Sequence, residues 1–419
     1  MITIADISFW GGVGVIGSSK VLIEQGEWRV LLDFGLDFQP GAGLFRGSVR
    51  PRPGQILKDR LRVGGAPWIP HLYRADAMAG LDLAGGSDGH TALFITHGHI
   101  DHVGLTGWVD PDIPIYASPE TQRLLEALSD SGQGTEGGQA KVQALQAGAP
   151  LDFGPFRITR YPVDHDVVGA SGYSVETDDG IVAFTGDIRL HGRHPDRSLH
   201  FAEQVQGARA LVIEGTTLSS GFRHAQKPEC DVDREFENCL AHTPGLVWMT
   251  MYPRNLERVE AFLAIARRYD RTILWPDSQA RFLARWALGE AQALSDVIPT
   301  AIAEHPERYI IQMEVSEIPR LLEFPHGPGT VFIHSNGEPL GPFDPDYALL
   351  HEWLTLAHVP FWSIGTSGHA SPDDLRLLVE KIHPDILFPL HSMEPDRLLP
   401  PPGTKRWLPE RGGRRFSLA

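Results

Sequence analysis

Cysteine is almost absent from this chain: 419 residues hold only Cys230 and Cys239. Two thiols cannot build a disulfide framework, and their spacing matches no zinc finger, so a small stapled scaffold is excluded. Long apolar runs are also missing. No stretch reaches the length that spans a bilayer, although 42% of residues are hydrophobic. The opening Met1-Ile2-Thr3-Ile4 has no basic region before it, so no secretory leader and a cytoplasmic location are expected. Positive charge is scarce: 37 Lys and Arg against 53 Asp and Glu leave a net charge of −16. That balance excludes indiscriminate nucleic-acid binding driven by bulk electrostatics. There is no internal repeat and no low-complexity tail, so solenoids and disordered linkers are set aside. The length exceeds one ordinary core and suggests two domains.

Histidine, in contrast, is plentiful at 19 residues, and it is clustered. Ala92-Leu93-Phe94-Ile95 reads as a short buried strand, followed at once by Thr96-His97-Gly98-His99-Ile100-Asp101-His102. Three imidazoles and a carboxylate in six residues exceed what one catalytic metal accepts while keeping a water. His97 and His99 therefore suit one ion, Asp101 and His102 a second. More ligand types stand just past apolar runs: His165 after 158–163, Asp187 after 181–186 and His391 after 386–390. His165 completes the first set and His391 the second, and Asp187, with two oxygens, is placed to bridge them. The expected cofactors are two divalent ions, zinc or manganese.

These pieces resemble the metallo-β-lactamase fold. Leu31-Leu32-Asp33-Phe34-Gly35, the 96–102 run, His165, Thr185-Gly186-Asp187 and Glu214-Gly215-Thr216-Thr217 look like its motifs plus an extra acidic one. Thr366-Ser367-Gly368-His369-Ala370 and Pro389-Leu390-His391 are similar to the two histidine motifs of the β-CASP nucleases, a short RNase J-like member in particular. The resemblance runs from about residue 4 to residue 395. It implies an α/β fold: an αββα sandwich with an inserted α/β domain. The expected division is 1–210 for the first part of the sandwich, 211–365 for the insert and 366–419 for the return.

Elements inside the insert read as alternating strand and helix: a strand at 246–250, a helix at 256–269, a strand at 272–275 with Asp277 as cap of the next helix, and a strand at 330–333. Ser118-Pro119, Asp344-Pro345 and Ser371-Pro372 each read as an N-cap followed by proline at the first helical position. Residues 39–90, rich in Gly and Pro, read as a long connection of functional or mobile type.

The resemblance implies a ribonuclease that hydrolyses phosphodiester bonds of single-stranded RNA, endonucleolytically or from the 5′ end. Asp101, His369 and Glu214 are the candidate catalytic residues, with His369 as acid and Glu214 as its partner. Asp33 is expected behind a metal-bound imidazole. Ser335, Asn336, Gly337 and Ser367 are the candidate phosphate pocket, although His334-Ser335-Asn336 departs from the family's usual residues there. His at 391 favours RNA, since that position is His in RNA-acting relatives and Val in many DNA-acting ones. Arg189, Arg193, Arg197, Arg254, Arg258, Lys405, Arg411, Arg414 and Arg415 are candidates for a locally positive path. The chain stops 28 residues after His391, short of the further C-terminal domain of full-length relatives, so the family's dimerisation does not carry over and the oligomeric state stays open. Two rivals remain: a DNA nuclease of the same family, and a small-molecule thioester or lactone hydrolase. Neither calls for a membrane.

Overall fold

The computed structural model describes residues 4–36, 44–45, 48–219, 226–286, 291–324, 327, 329–342 and 344–419. Two seven-stranded sheets face each other. The first runs, in spatial order, Arg415–Ser417, Ala5–Gly11, Lys20–Gln25, Trp28–Leu32, Thr91–Phe94, Ile115–Ala117 and Val142–Ala144. The second runs Lys405–Arg406, Ile386–Leu390, Ala210–Glu214, Gly180–Phe184, Ser171–Thr177, Phe156–Pro162 and Leu151–Phe153.

Alternation along the strands builds the layers, because successive side chains point to opposite faces. Val21, Ile23, Val30, Leu32 and Phe94 turn inward and meet Phe156, Val175, Phe184, Val212 and Phe388 from the other sheet. Leu22, Leu31, Leu93 and Ile115 turn outward. Ala183, Leu211, Ile213 and Leu387 do the same on the second sheet, where the helices Pro195–Gln204 and Pro372–Ile382 cover them with Phe201, Leu375, Leu378 and Ile382. Each fully buried Leu or Phe contributes about 1.5–3 kcal/mol of hydrophobic stabilisation. The result is the αββα sandwich.

The Gly/Pro-rich stretch is part of that architecture. From 44 onward its helix Ile56–Arg62 and its loops place Leu57, Leu61, Ile69, Leu72 and Tyr73 against the outer face of the first sheet. The Tyr73 hydroxyl donates to Pro67 O at 2.6 Å. Residues 39–43, 46 and 47 lie outside the described residues.

Ala210–Glu214 and Ile386–Leu390 are parallel neighbours, with Ala210 opposite Ile386 and Glu214 opposite Leu390. Between them the chain builds a third sheet of six parallel strands: Gln292–Ala293, Thr272–Trp275, Tyr309–Gln312, Val247–Met251, Val331–Ser335 and Phe361–Ser363. The second sheet thus holds the chain through Glu214, four residues past 210. Both faces of its four central strands are buried, which is why those strands are mostly apolar.

Ser118, Asp344 and Ser371 each accept a backbone N–H at a helix start, and Ser371 with Asp374 closes a full capping box. Asp277 differs from the expectation. Pro276 occupies the cap, and Asp277 is the first residue of Asp277–Arg285, its carboxylate accepting from the Ser295 hydroxyl at 2.7 Å. Among the described residues no helix is long and apolar enough to cross a membrane.

Candidate metal centre

The strand Thr91–Phe94 ends at the site, the chain bends at Gly98, and an extended His99 stands at the N-cap of the short helix Ile100–Val103. Gly35 permits this arrangement. A Cβ there would meet Asp101 O at 1.5 Å, and the close crossing lets Phe34 N–H donate to His102 O at 2.7 Å and Leu36 N–H to Ile100 O at 3.1 Å. His391 sits just past Ile386–Leu390 with φ of 53°, an unusual left-handed conformation for a non-glycine residue, and its N–H donates to Gly12 O at 2.8 Å.

Three overlapping groups of donors result: His97, His99, His165 and Asp187; Asp101, His102, Asp187 and His391; and Asp187, Glu214, His369 and His391. Within each group one ligand atom per residue lies within 4.8 Å of the others. Asp187 Oδ2 is the common point. It is 3.2 Å from His102 Nε2, 3.7 Å from His97 Nε2 and from His391 Nε2, and 3.9 Å from His165 Nε2. His391 Nε2 stands 3.0 Å from Asp101 Oδ2, and His165 Nε2 stands 3.2 Å from His99 Nδ1.

The outward nitrogens are tied down, as metal-binding imidazoles require. His102 Nδ1 meets Asp33 Oδ2 at 2.7 Å, and Asp33 also accepts Thr96 N–H at 2.7 Å. His97 Nδ1 meets Thr96 Oγ1 at 3.0 Å, His165 Nδ1 donates to Gly368 O at 2.6 Å, and His391 Nδ1 meets Thr216 Oγ1 at 2.8 Å. The inward atoms are not answered. Among the described residues, His97 Nε2, His102 Nε2 and Asp187 Oδ1 are buried without a hydrogen-bond partner. Such atoms cost free energy unless something binds them. Imidazole nitrogens and carboxylate oxygens suit a divalent cation, so the residues fit the group that the fold implies.

Electrostatics separate the two ends of the cluster. Burial holds His97 well below the usual imidazole range, burial takes His99 down to about 3, and burial lowers His165 as well. These rings are neutral, the state in which an imidazole can bind a cation. Burial also pulls on His102, but Asp187, Asp101 and Asp33 more than offset it and hold the ring well above its ordinary value. That carboxylate-rich end calls for positive charge.

His369 lies at the edge, 18% exposed, its Nδ1 3.1 Å from both oxygens of Glu214. Burial disfavours its cationic form, yet Glu214 and Asp187 push it up to about 9. Glu214 is fixed in turn by the N–H groups of Ile188 and Thr216.

The candidate phosphate residues are brought beside this loop. Ser367 Oγ accepts His369 N–H at 3.0 Å. Ser335 is fully buried, and the Asn336 amide oxygen accepts from Arg258 Nη1 at 2.8 Å. Gly337 packs against Thr250. The positive path needs correction: Arg189 and Arg258 are interior, 1% exposed and paired with Glu229, so neither offers a surface to a nucleic acid. Arg193 is held by Asp233, while Arg197, Lys405, Arg414 and Arg415 are exposed. Arg254 donates to Gly98 O at 3.2 Å and lies over the Tyr252 ring, which meets His99 edge-on. Sequence reasoning missed Thr216, Tyr252 and Asp166. For Thr216 and Asp166 the signal was adjacency to the motifs of Glu214 and His165.

A profile of the Beta-lactamase superfamily domain matches residues 82–244. Among curated proteins, Ribonuclease J of Helicobacter pylori is 22% identical over 91% of this chain and 55% of its own length. Ribonuclease J of Thermus thermophilus is 21% identical over 91% of this chain and 67% of its own, and that of Corynebacterium glutamicum 30% over 63% and 33%. The chain thus spans about half the length of the Helicobacter relatives. A solved structure of a protein of unknown function from Enterococcus faecalis matches with a TM-score of 0.82 and 25% identity, covering 99% of both chains. Strand order, donor set and these likenesses together show a metallo-β-lactamase superfamily domain, in a chain similar over most of its length to Ribonuclease J proteins.

Proposed function

We propose that this protein is a cytoplasmic metal-dependent ribonuclease that hydrolyses phosphodiester bonds of single-stranded RNA, with two divalent ions per chain. The observation that carries this reading is the meeting of two donor groups on Asp187, with the His369–Glu214 pair beside them. The relatives named Ribonuclease J support the substrate class. His97, His99 and His165 would hold one ion, Asp101, His102 and His391 the other, and Asp187 both. Bound there, divalent cations supply Lewis-acid charge that activates water and offsets the charge of a phosphodiester.

The chain's own residues do the rest. Asp33 and Thr216 fix the tautomers and ring orientations of His102 and His391. Asp101 keeps His391 directed inward. His369, held protonated at neutral pH by Glu214, gives its proton to the departing 3′ oxygen. Ser367 and the backbone around it position the neighbouring phosphate, because the Ser367 hydroxyl already orders the His369 backbone. In this reading the inserted domain begins after Glu214, runs to about residue 365 and closes the far wall of the site.

The test is cleavage of one short sequence, as 5′-monophosphorylated RNA and as DNA, by zinc-loaded and manganese-loaded protein, with His369→Ala as control. RNA should be cut, and His369→Ala should slow cutting by about 10²–10⁴-fold while leaving metal content unchanged. Preference for DNA would move the protein to the repair branch. Absence of cutting on both strands with both metals would refute the reading.

A further inference from the structure

Asp166 follows His165 directly and has no part in the mechanism above. Its side chain is 16% exposed, yet its Oδ1 is closed to solvent and has no hydrogen-bond partner among the described residues. A carboxylate oxygen in that state is costly unless a donor or a cation answers it. Oδ1 lies 3.3 Å from His165 Nε2, close to the 3.2 Å that separates His165 Nε2 from His99 Nδ1. It lies 3.7 Å from His99 Nε2, which also lacks a partner. Donor atoms about 2.0–2.2 Å from a shared ion stand roughly 3–3.5 Å apart. Asp166 Oδ1 therefore keeps ligand spacing from His165. On its other side, a Cβ at Gly368 would meet Asp166 Cγ at 2.6 Å, so the loop bearing His369 packs tightly against this carboxylate.

We propose that Asp166 supplies a further oxygen ligand to the ion held by His97, His99 and His165, and so moves that position's preference from Zn²⁺ toward Mn²⁺. The inference rests on the metal-site reading above. Three imidazoles and one bridging carboxylate suit four-coordinate zinc. An added carboxylate raises both the share of oxygen and the coordination number, which favours manganese.

The experiment uses the full chain, stripped of metal. Affinities and stoichiometries for Mn²⁺ and Zn²⁺ are measured by competition with a chromophoric chelator for the wild type, Asp166→Asn and Asp166→Ser. Electron paramagnetic resonance of the manganese-loaded proteins is recorded alongside. Both variants should lose at least tenfold in manganese affinity, lose less in zinc affinity, and change the spectrum of one manganese. Unchanged manganese affinity, or a zinc loss as large as the manganese loss, overturns the proposal. If the wild type binds neither metal, the metal-site reading itself fails and takes the proposal with it.

Discussion

Two clusters of buried charge lie next to each other in this molecule, and they end differently. In one, Glu229 receives Arg258 Nε at 3.1 Å, Arg258 Nη2 at 2.7 Å and Arg189 Nη1 at 2.9 Å. Arg189 Nε donates to Asp164 at 3.0 Å, and both guanidiniums reach the carbonyls of Thr366 and Ser367. Among the described residues, no buried side-chain atom of Arg189, Glu229 or Arg258 is left without a partner. In the other cluster, at the metal centre, the inward atoms of His97, His102 and Asp187 are unanswered. A closed network ties elements together; an open one has kept its bonding capacity for something that arrives later. Both meet at the 365–369 loop, so the closed network holds the sandwich and the third sheet in register around the open one.

The sharpest way to break the contrast is Asp187→Ala. Its Oδ2 faces five imidazoles, and among the described residues no other residue belongs to all three donor groups. Metal content should fall by more than half, and RNA cleavage by at least 10²–10³-fold, the scale seen when a main electrostatic stabiliser is lost. The metal-free variant should also lose some stability, because burial opposes the Asp187 charge but His391 and His102 hold that carboxyl well below its ordinary range. Elemental analysis and thermal unfolding check both halves; full metal retention would remove Asp187 from the bridging position.

Glu229→Gln should do the reverse. It strips the shared anion from two interior guanidiniums, so unfolding free energy should drop by about 3–5 kcal/mol, while metal affinity of the folded protein stays the same. Burial opposes the charge on Glu229, but Arg258 and Arg189 hold its carboxyl down to about 2, below the ordinary glutamate value of 4.5. A carboxyl with a depressed folded pKa stabilises above its unfolded value, and loses that contribution as pH falls through the folded one. The gap between wild type and Glu229→Gln should therefore be full near neutrality and narrow progressively below about pH 4.5. Denaturant melts of the metal-free pair across that range read it directly, since other carboxyls titrate in both chains. A gap that is constant with pH would show that charge is not what Glu229 contributes.

How far these clusters were legible in the sequence follows from how local they are. His97, His99, Asp101 and His102 sit in one turn, and His165, Asp187 and His391 each stand at a strand end, so period and adjacency point to them. The closed network is spread over Asp164, Arg189, Glu229, Arg258 and Asn336, on separate elements. An arginine in a sequence reads as surface unless its carboxylate partner is known, which is why Arg189 and Arg258 were expected on a nucleic-acid path and are found inside. The 44–90 segment was opaque for a related reason. Glycine and proline set its turns, while Leu57, Leu61, Leu72 and Tyr73, scattered without period, do the packing. Three strands of the third sheet, Thr272–Trp275, Val247–Met251 and Val331–Ser335, were legible because both of their faces are covered, while Tyr309–Gln312 and the edge strands Gln292–Ala293 and Phe361–Ser363 were not read. Asp277 misled because it stands where a cap belongs, one residue late.

Asp33→Asn gives the smallest and most selective effect. Asp33 belongs to neither end state: it is fully buried and partnered, yet its partner is a candidate ligand. Burial pushes its carboxyl above the usual range, and His102 and Thr96 recover only part of that cost. The fold therefore carries a desolvated carboxylate whose return is to orient His102 Nε2 toward Asp187. Asparagine keeps the shape and an acceptor but removes the charge. Affinity for the ion of the Asp101–His102–His391 end should fall about 10–100-fold, while the His97–His99–His165 end keeps its ion. Stability of the metal-free protein should hold or rise, in contrast to Glu229→Gln. Stepwise metal titration followed by thermal unfolding separates the two contributions. An equal loss at both ends would mean that Asp33 shapes the whole 96–102 turn rather than one imidazole.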